Sequence, residues 1–259
     1  MKRLSGKVYI ITGAGGGLGR AIALSAAQEG ANLVLSDVDA APLEELAGQL
    51  AQLDVQTAVL AGDACDVTLG ARLAELAVSR LGRLDGCVPC AGIIRCRPLA
   101  EIDAEQWDAV MAVNLRSVFF TLQAVSRHIS DGGSIVTVSS TSADGPRPNN
   151  PDYGVSKAGV NHLTRTFALE LAPRRVRVNA VSPGIIETAM WRQVDAERGG
   201  MQGLSPGQLS QRMVEKIPLG RLGRGEDVAS VVTFLLSEES AYVTGQIITI
   251  DGGFKLTTT

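Results

Sequence analysis

The sequence predicts an α/β fold of the Rossmann type, a doubly wound parallel sheet of seven strands with helices on both faces. Short apolar runs alternate with helical patterns along the 259 residues, as expected for repeated βαβ units. Hydrophobic residues make up 45% of the chain and aromatic residues only 4%, and such aliphatic runs are typical of parallel strands buried on both faces. No linker or repeat divides the chain, so we expect residues 1–259 to form a single domain.

Runs rich in β-branched residues or bounded by glycine predict the seven strands, at 7–12, 31–36, 59–61, 85–88, 133–139, 176–181 and 246–250. Helical patterns cover 20–28, 42–53, 67–81, 104–129, the stretch that contains Tyr153 and Lys157, and 226–236. The pattern at 104–129 changes character at Asn114, which is either a core amide or a site residue. Residues 189–216 lack a clean strand pattern and predict a mobile lid over a substrate site.

A glycine-rich turn, GAGGGLG at 13–19, follows the first strand and leads into a helix. This context is typical of a dinucleotide site, because glycines let the backbone approach a pyrophosphate and the helix N-terminus offers free N–H groups. Asp37 ends the second strand, where a carboxylate accepts hydrogen bonds from the adenosine ribose. Its charge would repel the 2′-phosphate of NADP, so the sequence predicts NAD. Alternatively, Asp37 only caps the helix that follows.

Tyr153 and Lys157 are four residues apart and therefore lie on one face of a helix. A free phenol titrates near pH ~10, and a neighbouring ammonium favours the phenolate and lowers that pKa. The hydroxyl of Ser140 is available to hydrogen-bond a substrate oxygen as charge develops on it. Together these groups predict proton transfer to or from an alcohol or a carbonyl.

From residue 7 to residue 253 the chain resembles the short-chain dehydrogenase/reductase family. The resemblance is carried by TGxxxGxG at 12–19, YxxxK at 153–157, Ser140, Asn114 in VNL, CDV at 65–67 and PGIIET at 183–188. It implies that Asn114, Ser140, Tyr153 and Lys157 are catalytic. Tyr153 would exchange the proton, Lys157 would lower the tyrosine pKa and hold the nicotinamide ribose, and Asn114 would anchor a proton-relaying water.

The same resemblance implies a set of cofactor contacts spread over the predicted sheet edge. These residues are Gly13, Gly17, Leu18, Gly19, Asp37, Asp66, Val67, Ala91, Gly92, Tyr153, Lys157, Pro183, Ile186 and Thr188. The family usually has Asn-Asn-Ala-Gly where this chain has Pro89-Cys90-Ala91-Gly92. Loss of the two amides costs ~1 kcal/mol each if their hydrogen bonds are not replaced. This departure predicts a weaker central sheet rather than a loss of activity.

Three function classes remain open. The leading one is an NAD-dependent oxidoreductase that interconverts a secondary alcohol and a ketone. The second is an NADPH-dependent 3-oxoacyl-thioester reductase of the same family, against which Asp37 counts. The third is a regulator that senses NAD without turnover, which would need no proton-transfer residues. By resemblance, helices at 104–129 and 153–171 imply a homo-oligomer, either a dimer or a tetramer.

Charge and composition exclude several partners. A net charge of −3 and a pI near 5.5 argue against binding to nucleic acid or an anionic membrane. No signal peptide is visible and no apolar stretch reaches the ~18–20 residues of a membrane helix, so we expect a cytoplasmic protein. Cys87 and Cys90 form a C-x-x-C without a second ligand pair, and no metal site is predicted. Arg95 and Arg97 either contact an anionic substrate or are solvated.

Overall fold

The structure is a computed structural model, and it describes residues 2–257. Seven strands form one sheet in the order β3-β2-β1-β4-β5-β6-β7, and every neighbouring pair is parallel. The strands are β1 Val8–Thr12, β2 Asn32–Ser36, β3 Thr57–Val59, β4 Gly86–Pro89, β5 Ser134–Val138, β6 Arg177–Pro183 and β7 Ile247–Ile250. The predicted fold class is confirmed.

The helices lie on both faces of this sheet. They are α1 Gly17–Gln28, α2 Ala40–Leu50, α3 Leu69–Leu81, α4 Ala104–Met111, α5 Ser117–His128, α6 Pro151–Leu171, α7 Ala189–Met201, α8 Gln208–Val214, α9 Gly225–Leu236 and α10 Phe254–Thr257. A π-helical turn, Ala112–Arg116, joins α4 to α5. The predicted change of character at Asn114 therefore corresponds to a real change of helix type.

Strand β1 shows why the sequence folds into three layers. Its five residues are all buried, and successive side chains point to opposite faces of the sheet. Tyr9 and Ile11 pack with α1, α2 and α9 in one core, whereas Val8 and Ile10 pack with α3, α5 and α6 in the other. An apolar run without alternation is therefore required for burial on both sides.

The third strand was predicted in the wrong place, at 59–61, whereas β3 is Thr57–Val59. Pairing with β2 begins at Leu33 and Thr57, before the most apolar residues. Because β3 is an edge strand whose residues are only half-buried or exposed, hydrophobicity does not mark its bounds. The strands β4 and β6 also extend one and two residues beyond their predicted ends, through Pro89 and Pro183.

The carboxyl ends of β1 and β4 border a crevice. Strands β2 and β3 lie on one side of β1 and strands β5 to β7 on the other side of β4, so the chain connections diverge at this point, as they do where open α/β sheets bind ligands. Strand β4 shares only two register pairs with β5, Gly86 with Ser134 and Cys87 with Ile135. Beyond those pairs the two strands are free to separate around the crevice.

One helical stretch of the described residues, Ala104–His128, is long and apolar enough to cross a membrane by length and composition. Its 25 residues include a window of mean hydropathy 1.3, of which 44% is buried inside the protein. By this criterion, the expectation that no apolar stretch is long enough for a membrane helix is wrong. Because α5 packs against α3, β4 and α6, the stretch is accounted for as a core helix.

Two glycine substitutions test the packing of the central strands. A Cβ on Gly86 would lie 1.7 Å from the Ser134 carbonyl oxygen, whereas a Cβ on Gly48 of α2 would meet no atom within 4 Å. We expect Gly86→Ala to lower the free energy of unfolding by about 3 kcal/mol through overpacking. Gly48→Ala should raise it by about 0.5–1 kcal/mol, since alanine favours a helix interior. Urea unfolding measures both, and equal effects would contradict this account.

Candidate active site

A cavity of about 830 Å³ occupies the crevice at the carboxyl edge of the sheet. The loops that follow β1, β2, β4, β5 and β6 line it, together with α7. Its volume is within the range of small-molecule and cofactor sites. Most of the predicted site residues lie on its wall, namely Gly13, Gly17, Leu18, Gly19, Asp37, Ala91, Gly92, Ser140, Tyr153, Lys157, Pro183, Ile186 and Thr188.

The glycine turn is shaped by close backbone contacts. Gly13 has a φ of +67°, and a Cβ on it would lie 2.6 Å from the Ala91 nitrogen. A Cβ on Gly19 would lie 2.1 Å from the Gly13 oxygen. Gly16 precedes α1 without a side-chain cap, so the first N–H groups of the helix remain free for a ligand. These features fit the pyrophosphate of a dinucleotide.

Asp37 faces the same turn at one end of the cavity. Its Oδ2 accepts a hydrogen bond from Gly15 N at 2.9 Å, and its Oδ1 accepts one from Val38 N at 2.7 Å. The residue that precedes α2 is Asp39, so Asp37 does not cap that helix. Beside it, the buried Ser36 hydroxyl has no partner within the described chain and also lines the cavity. Both side chains fit the hydroxyl groups of a ribose.

The predicted adenine contacts, Asp66 and Val67, are not on the cavity wall. The Asp66 carboxylate is exposed and accepts hydrogen bonds from Thr68, and it pairs with Arg72 at 3.1 Å. Asp63 and Ala64, which come just before in the chain, line the cavity instead. The motif therefore lies in a loop that borders the cavity, but the structure presents other residues of that loop to the cavity, and the adenine contact stays a prediction.

Tyr153, on α6, lies close to Ser140, which comes two residues after β5. Both side chains are buried. Burial raises the pKa of Tyr153 above its ordinary value, the hydrogen bond with Ser140 lowers it, and the Cys90 thiol raises it further. Ser140 Oγ also accepts a hydrogen bond from Ser142 N at 3.1 Å.

Lys157 lies one helical turn after Tyr153, as predicted. Its Nζ donates to the Val138 carbonyl at 2.9 Å and lies 5.7 Å from the centre of the Tyr153 ring. Burial lowers the pKa of Lys157 to about 8, against a smaller opposing effect of Cys90. The ammonium is thus held by a backbone carbonyl close to the tyrosine ring, and its lowering of the tyrosine pKa stays a prediction.

Asn114 is fully buried in the π-helical turn and is not on the cavity wall. Its amide exchanges two hydrogen bonds with the Ile93 backbone, at 2.8 and 2.9 Å, and donates to Ser156 Oγ at 3.2 Å. A Cβ on Gly92 would lie 3.4 Å from Asn114 Oδ1. The side chain therefore braces the loop that follows β4 from behind, as a satisfied core amide.

Pro89 and Cys90 occupy the place of the two family asparagines. Thr12 supplies acceptors for the loop that follows: Cys90 N donates to its carbonyl at 3.2 Å and Ala91 N to its hydroxyl at 3.4 Å. The Cys90 thiol lines the cavity, and burial raises its pKa to about 12. The loop is thus held from β1 without amide side chains, and the weakening of the sheet stays a prediction.

The C-x-x-C cysteines do not share a site. Cys87 belongs to the core on one face of the sheet, and Cys90 packs against the core on the other, since side chains three residues apart on a strand point in opposite directions. All four cysteines are free thiols. Within residues 2–257, no three His, Cys, Asp or Glu side chains group closely enough to hold a metal ion.

The predicted lid contains two helices, α7 and α8, that are fastened together. Asp195 of α7 accepts hydrogen bonds from Gly207 N and from both the N and Oγ of Ser210. Trp191 Nε1 donates to Ser210 Oγ at 2.9 Å and lines the cavity. Glu197 accepts from Cys96 N at 2.8 Å, which ties the lid to the loop that follows β4.

The loops at 93–98, 141–152 and 185–216 all contribute residues to the cavity wall. A cluster of Ile94, Cys96, Val110 and Val194 packs with Tyr153 and provides an apolar surface beside the hydroxyl pair. Together with Tyr153, the residues of this cluster come from four separate segments of the chain. No spacing or motif in the sequence brings such segments together, so only the fold reveals the cluster.

The chain is similar to several known proteins over nearly its whole length. A family model described as Enoyl-(Acyl carrier protein) reductase matches residues 13–255. The 3-oxoacyl-(acyl-carrier-protein) reductase FabG of Thermotoga maritima is 41% identical over 98% of this chain and 100% of its own. The L-2,3-butanediol dehydrogenase of Corynebacterium glutamicum is 37% identical over 95% and 98%. A putative short-chain alcohol dehydrogenase structure from Sinorhizobium meliloti 1021 has a TM-score of 0.90, 34% identity and 98% coverage of both chains.

Thiol chemistry tests the placement of the cysteines. Burial raises the pKa of all four thiols, and it does so to about 12 for Cys90 and Cys96. A protonated thiol is a poor nucleophile. We expect slow alkylation by iodoacetamide at pH 8, with the half-buried Cys65 reacting first, and fast reaction of all four after unfolding in urea. Mass spectrometry of tryptic peptides gives the order. Rapid loss of the Cys87 thiol in the folded protein would contradict the structure.

Proposed function

The chain belongs to the short-chain dehydrogenase/reductase family, and from this membership we propose that it is an NAD-dependent oxidoreductase that interconverts a secondary alcohol and a ketone. Membership makes it an oxidoreductase that uses a nicotinamide cofactor. The observation that carries the finer proposal is the hydroxyl pair of Ser140 and Tyr153, buried in the same cavity as Lys157 and the glycine turn.

In this mechanism the nicotinamide, when bound, accepts or supplies the hydride. Tyr153 takes the alcohol proton during oxidation or returns it during reduction, and Ser140 donates a hydrogen bond to the substrate oxygen. The ammonium of Lys157 would hold the nicotinamide ribose and would favour the phenolate of Tyr153. Asn114 acts by positioning the 90–94 backbone, and the water that the resemblance assigns to it remains a prediction.

The preference for NAD over NADP rests on Asp37. Its carboxylate lines the cavity next to the glycine turn, where a 2′-phosphate would meet a negative charge. Neither Gly16 nor Val38, which flank this end, offers a cation to a phosphate. The other proposed cofactor contacts are the wall residues of the glycine turn, the loops after β4 and β6, and Asp66 and Val67 of the 63–67 loop.

A second candidate is an NADPH-dependent 3-oxoacyl-thioester reductase. The 41% identity with the Thermotoga maritima FabG favours it, whereas Asp37 and the similarity to a butanediol dehydrogenase favour a small alcohol. A regulator that senses NAD without turnover is the third possibility, and any turnover with ketones excludes it.

We further propose that residues 1–259 act as one domain, with 189–216 as the lid, in a cytoplasmic homo-oligomer. Exposed apolar side chains on α4 and α6, Trp107, Val155 and Leu169, support an interface between copies, because such surface is costly to leave in water. The four free thiols fit a reducing compartment.

Replacing Tyr153 by phenylalanine tests the proton-transfer role. We expect Tyr153→Phe to lower kcat by about 10²–10⁴-fold, because a positioned acid–base group is lost, while the Kd for NADH stays within about twofold. Tyr242→Phe is the matched control, since Tyr242 is fully exposed. Steady-state rates with a panel of ketones and fluorescence titration with NADH measure both quantities. Undiminished turnover in Tyr153→Phe would overturn the assignment.

Replacing Asp37 by serine tests the cofactor preference. The wild-type protein should bind NADH about tenfold or more tightly than NADPH, and Asp37→Ser should remove that preference by ending charge repulsion. Asp39→Ser is the control, because Asp39 is an exposed neighbour outside the cavity wall. Fluorescence titration with both nucleotides reports the ratio of Kd values. A wild-type preference for NADPH would contradict the assignment and favour the thioester reductase.

A further inference from the structure

The charged residues of the cavity are segregated by sign. Its only carboxylates among the described residues are Asp37 and Asp63, both on the loops beside the glycine turn. The wall near α7 and the 141–150 loop carries three cations instead, Arg147, Arg198 and Lys216. A site for a neutral ketone alone needs no such concentration of positive charge.

Arg147 lies in the loop between Ser140 and Tyr153. Its guanidinium is 5.0 Å from the ring centre of Phe254, and its Nη2 is buried without a hydrogen-bond partner in the part of the chain that the structure describes. It forms no ion pair with any described carboxylate. A buried guanidinium N–H that lacks an acceptor is unfavourable, so this group is suited to an acceptor that is not part of the protein.

Arg198 lines the same cavity and belongs to α7. It lies four residues after Val194, which packs with Tyr153, and residues at this spacing share a helix face. Its Nε is likewise buried with no partner among residues 2–257. Two guanidinium groups from different segments therefore reach the same cavity, and both have a buried donor without an acceptor.

The two arginines are close enough to repel each other. Burial, and then the charge of Arg198, lower the pKa of Arg147. Within residues 2–257, the carboxylates of the neighbouring segments accept hydrogen bonds from other groups. Asp152 accepts from Gln106 and Tyr153 N, and Asp195 accepts from Gly207 and Ser210. Glu197 accepts from Cys96 N and Gln193. An anion bound between the guanidinium groups would satisfy both donors and cancel the repulsion.

We propose that Arg147 and Arg198, assisted by Lys216, bind an oxyanion on the substrate, so that the substrate is an acidic ketone or secondary alcohol. The ketone or alcohol as the reacting group rests on the proposed function, whereas the anion site does not depend on that function. The chemistry recognised is a carboxylate, phosphate or sulfonate carried on the same small molecule as the carbonyl.

The arginines that the sequence had suggested for an anionic substrate are placed elsewhere. Arg97 is exposed and pairs with Asp103 at 3.2 Å. Neither Arg95 nor Arg97 lines the cavity. This geometry favours the alternative that Arg95 and Arg97 are solvated rather than part of the substrate site.

The test compares acids with their neutral derivatives. Oxo carboxylates with two to five carbons between the groups are assayed against their methyl esters, with phosphate and sulfonate analogues as further arms. We expect kcat/KM for the preferred acid to exceed that of its ester by about tenfold or more, since charge-assisted pairs are the stronger hydrogen bonds. Arg147→Met and Arg198→Met should bring this acid-to-ester ratio toward one, mainly through KM. Arg192→Met, an exposed change on the same helix outside the cavity wall, should preserve it.

Equilibrium binding separates this inference from the proposed function. Quenching of Trp191 fluorescence, with Trp107→Phe as background, gives the Kd of each acid and of its methyl ester whether or not turnover occurs, and NADH binding verifies that each variant is folded. Tight binding of the acids that both arginine variants lose supports the anion site, even without turnover. Turnover of neutral ketones with no preference for acids would overturn the anion site and leave the proposed function standing. An unchanged acid preference in both folded variants would also overturn it.

Discussion

The site depends on the contact between the loop after β1 and the loop after β4. Gly13 meets Ala91 backbone to backbone, at a separation that excludes even a methyl group. This contact holds the two loops together where the hydrogen-bonded strands β1 and β4 end, beside the cavity. Thr12 reinforces it with two acceptors, so the loop stays in position although proline and cysteine stand where amides are usual.

Around that contact, the cavity divides into regions with different electrostatic character. Carboxylates and a serine hydroxyl without a partner among residues 2–257 lie near the glycine turn, buried hydroxyls and the Lys157 ammonium lie on the β5 and α6 segments, and guanidinium groups lie on the 141–150 loop and α7. Each region suits one part of a reaction: a ribose, a proton transfer and a charged substrate. The low dielectric of a partly buried site strengthens these distinctions, because water screens the charges less than at the surface.

The features that the sequence revealed are local ones. The glycine turn and the Tyr153–Lys157 pair each lie within one short segment, where periodicity and spacing determine the geometry. Apolar runs identified the central strands because those strands are buried on both faces, whereas the half-exposed β3 was misplaced. Tertiary contacts remained hidden: the orientation of Asn114 toward Ile93 and the meeting of Arg147 with Arg198 join segments that are distant in sequence.

The π-helical turn at Ala112–Arg116 places a restriction on how the chain can vary. Its hydrogen bonds span five residues instead of four, so the helix contains one residue more than a regular α-helix of equal rise. Deleting a residue here would restore a regular α-helix and leave the buried Leu122 and Val125 of α5 facing the core, but it would withdraw Asn114 from Ile93. Insertions and deletions are therefore excluded from this segment even where its individual side chains can change.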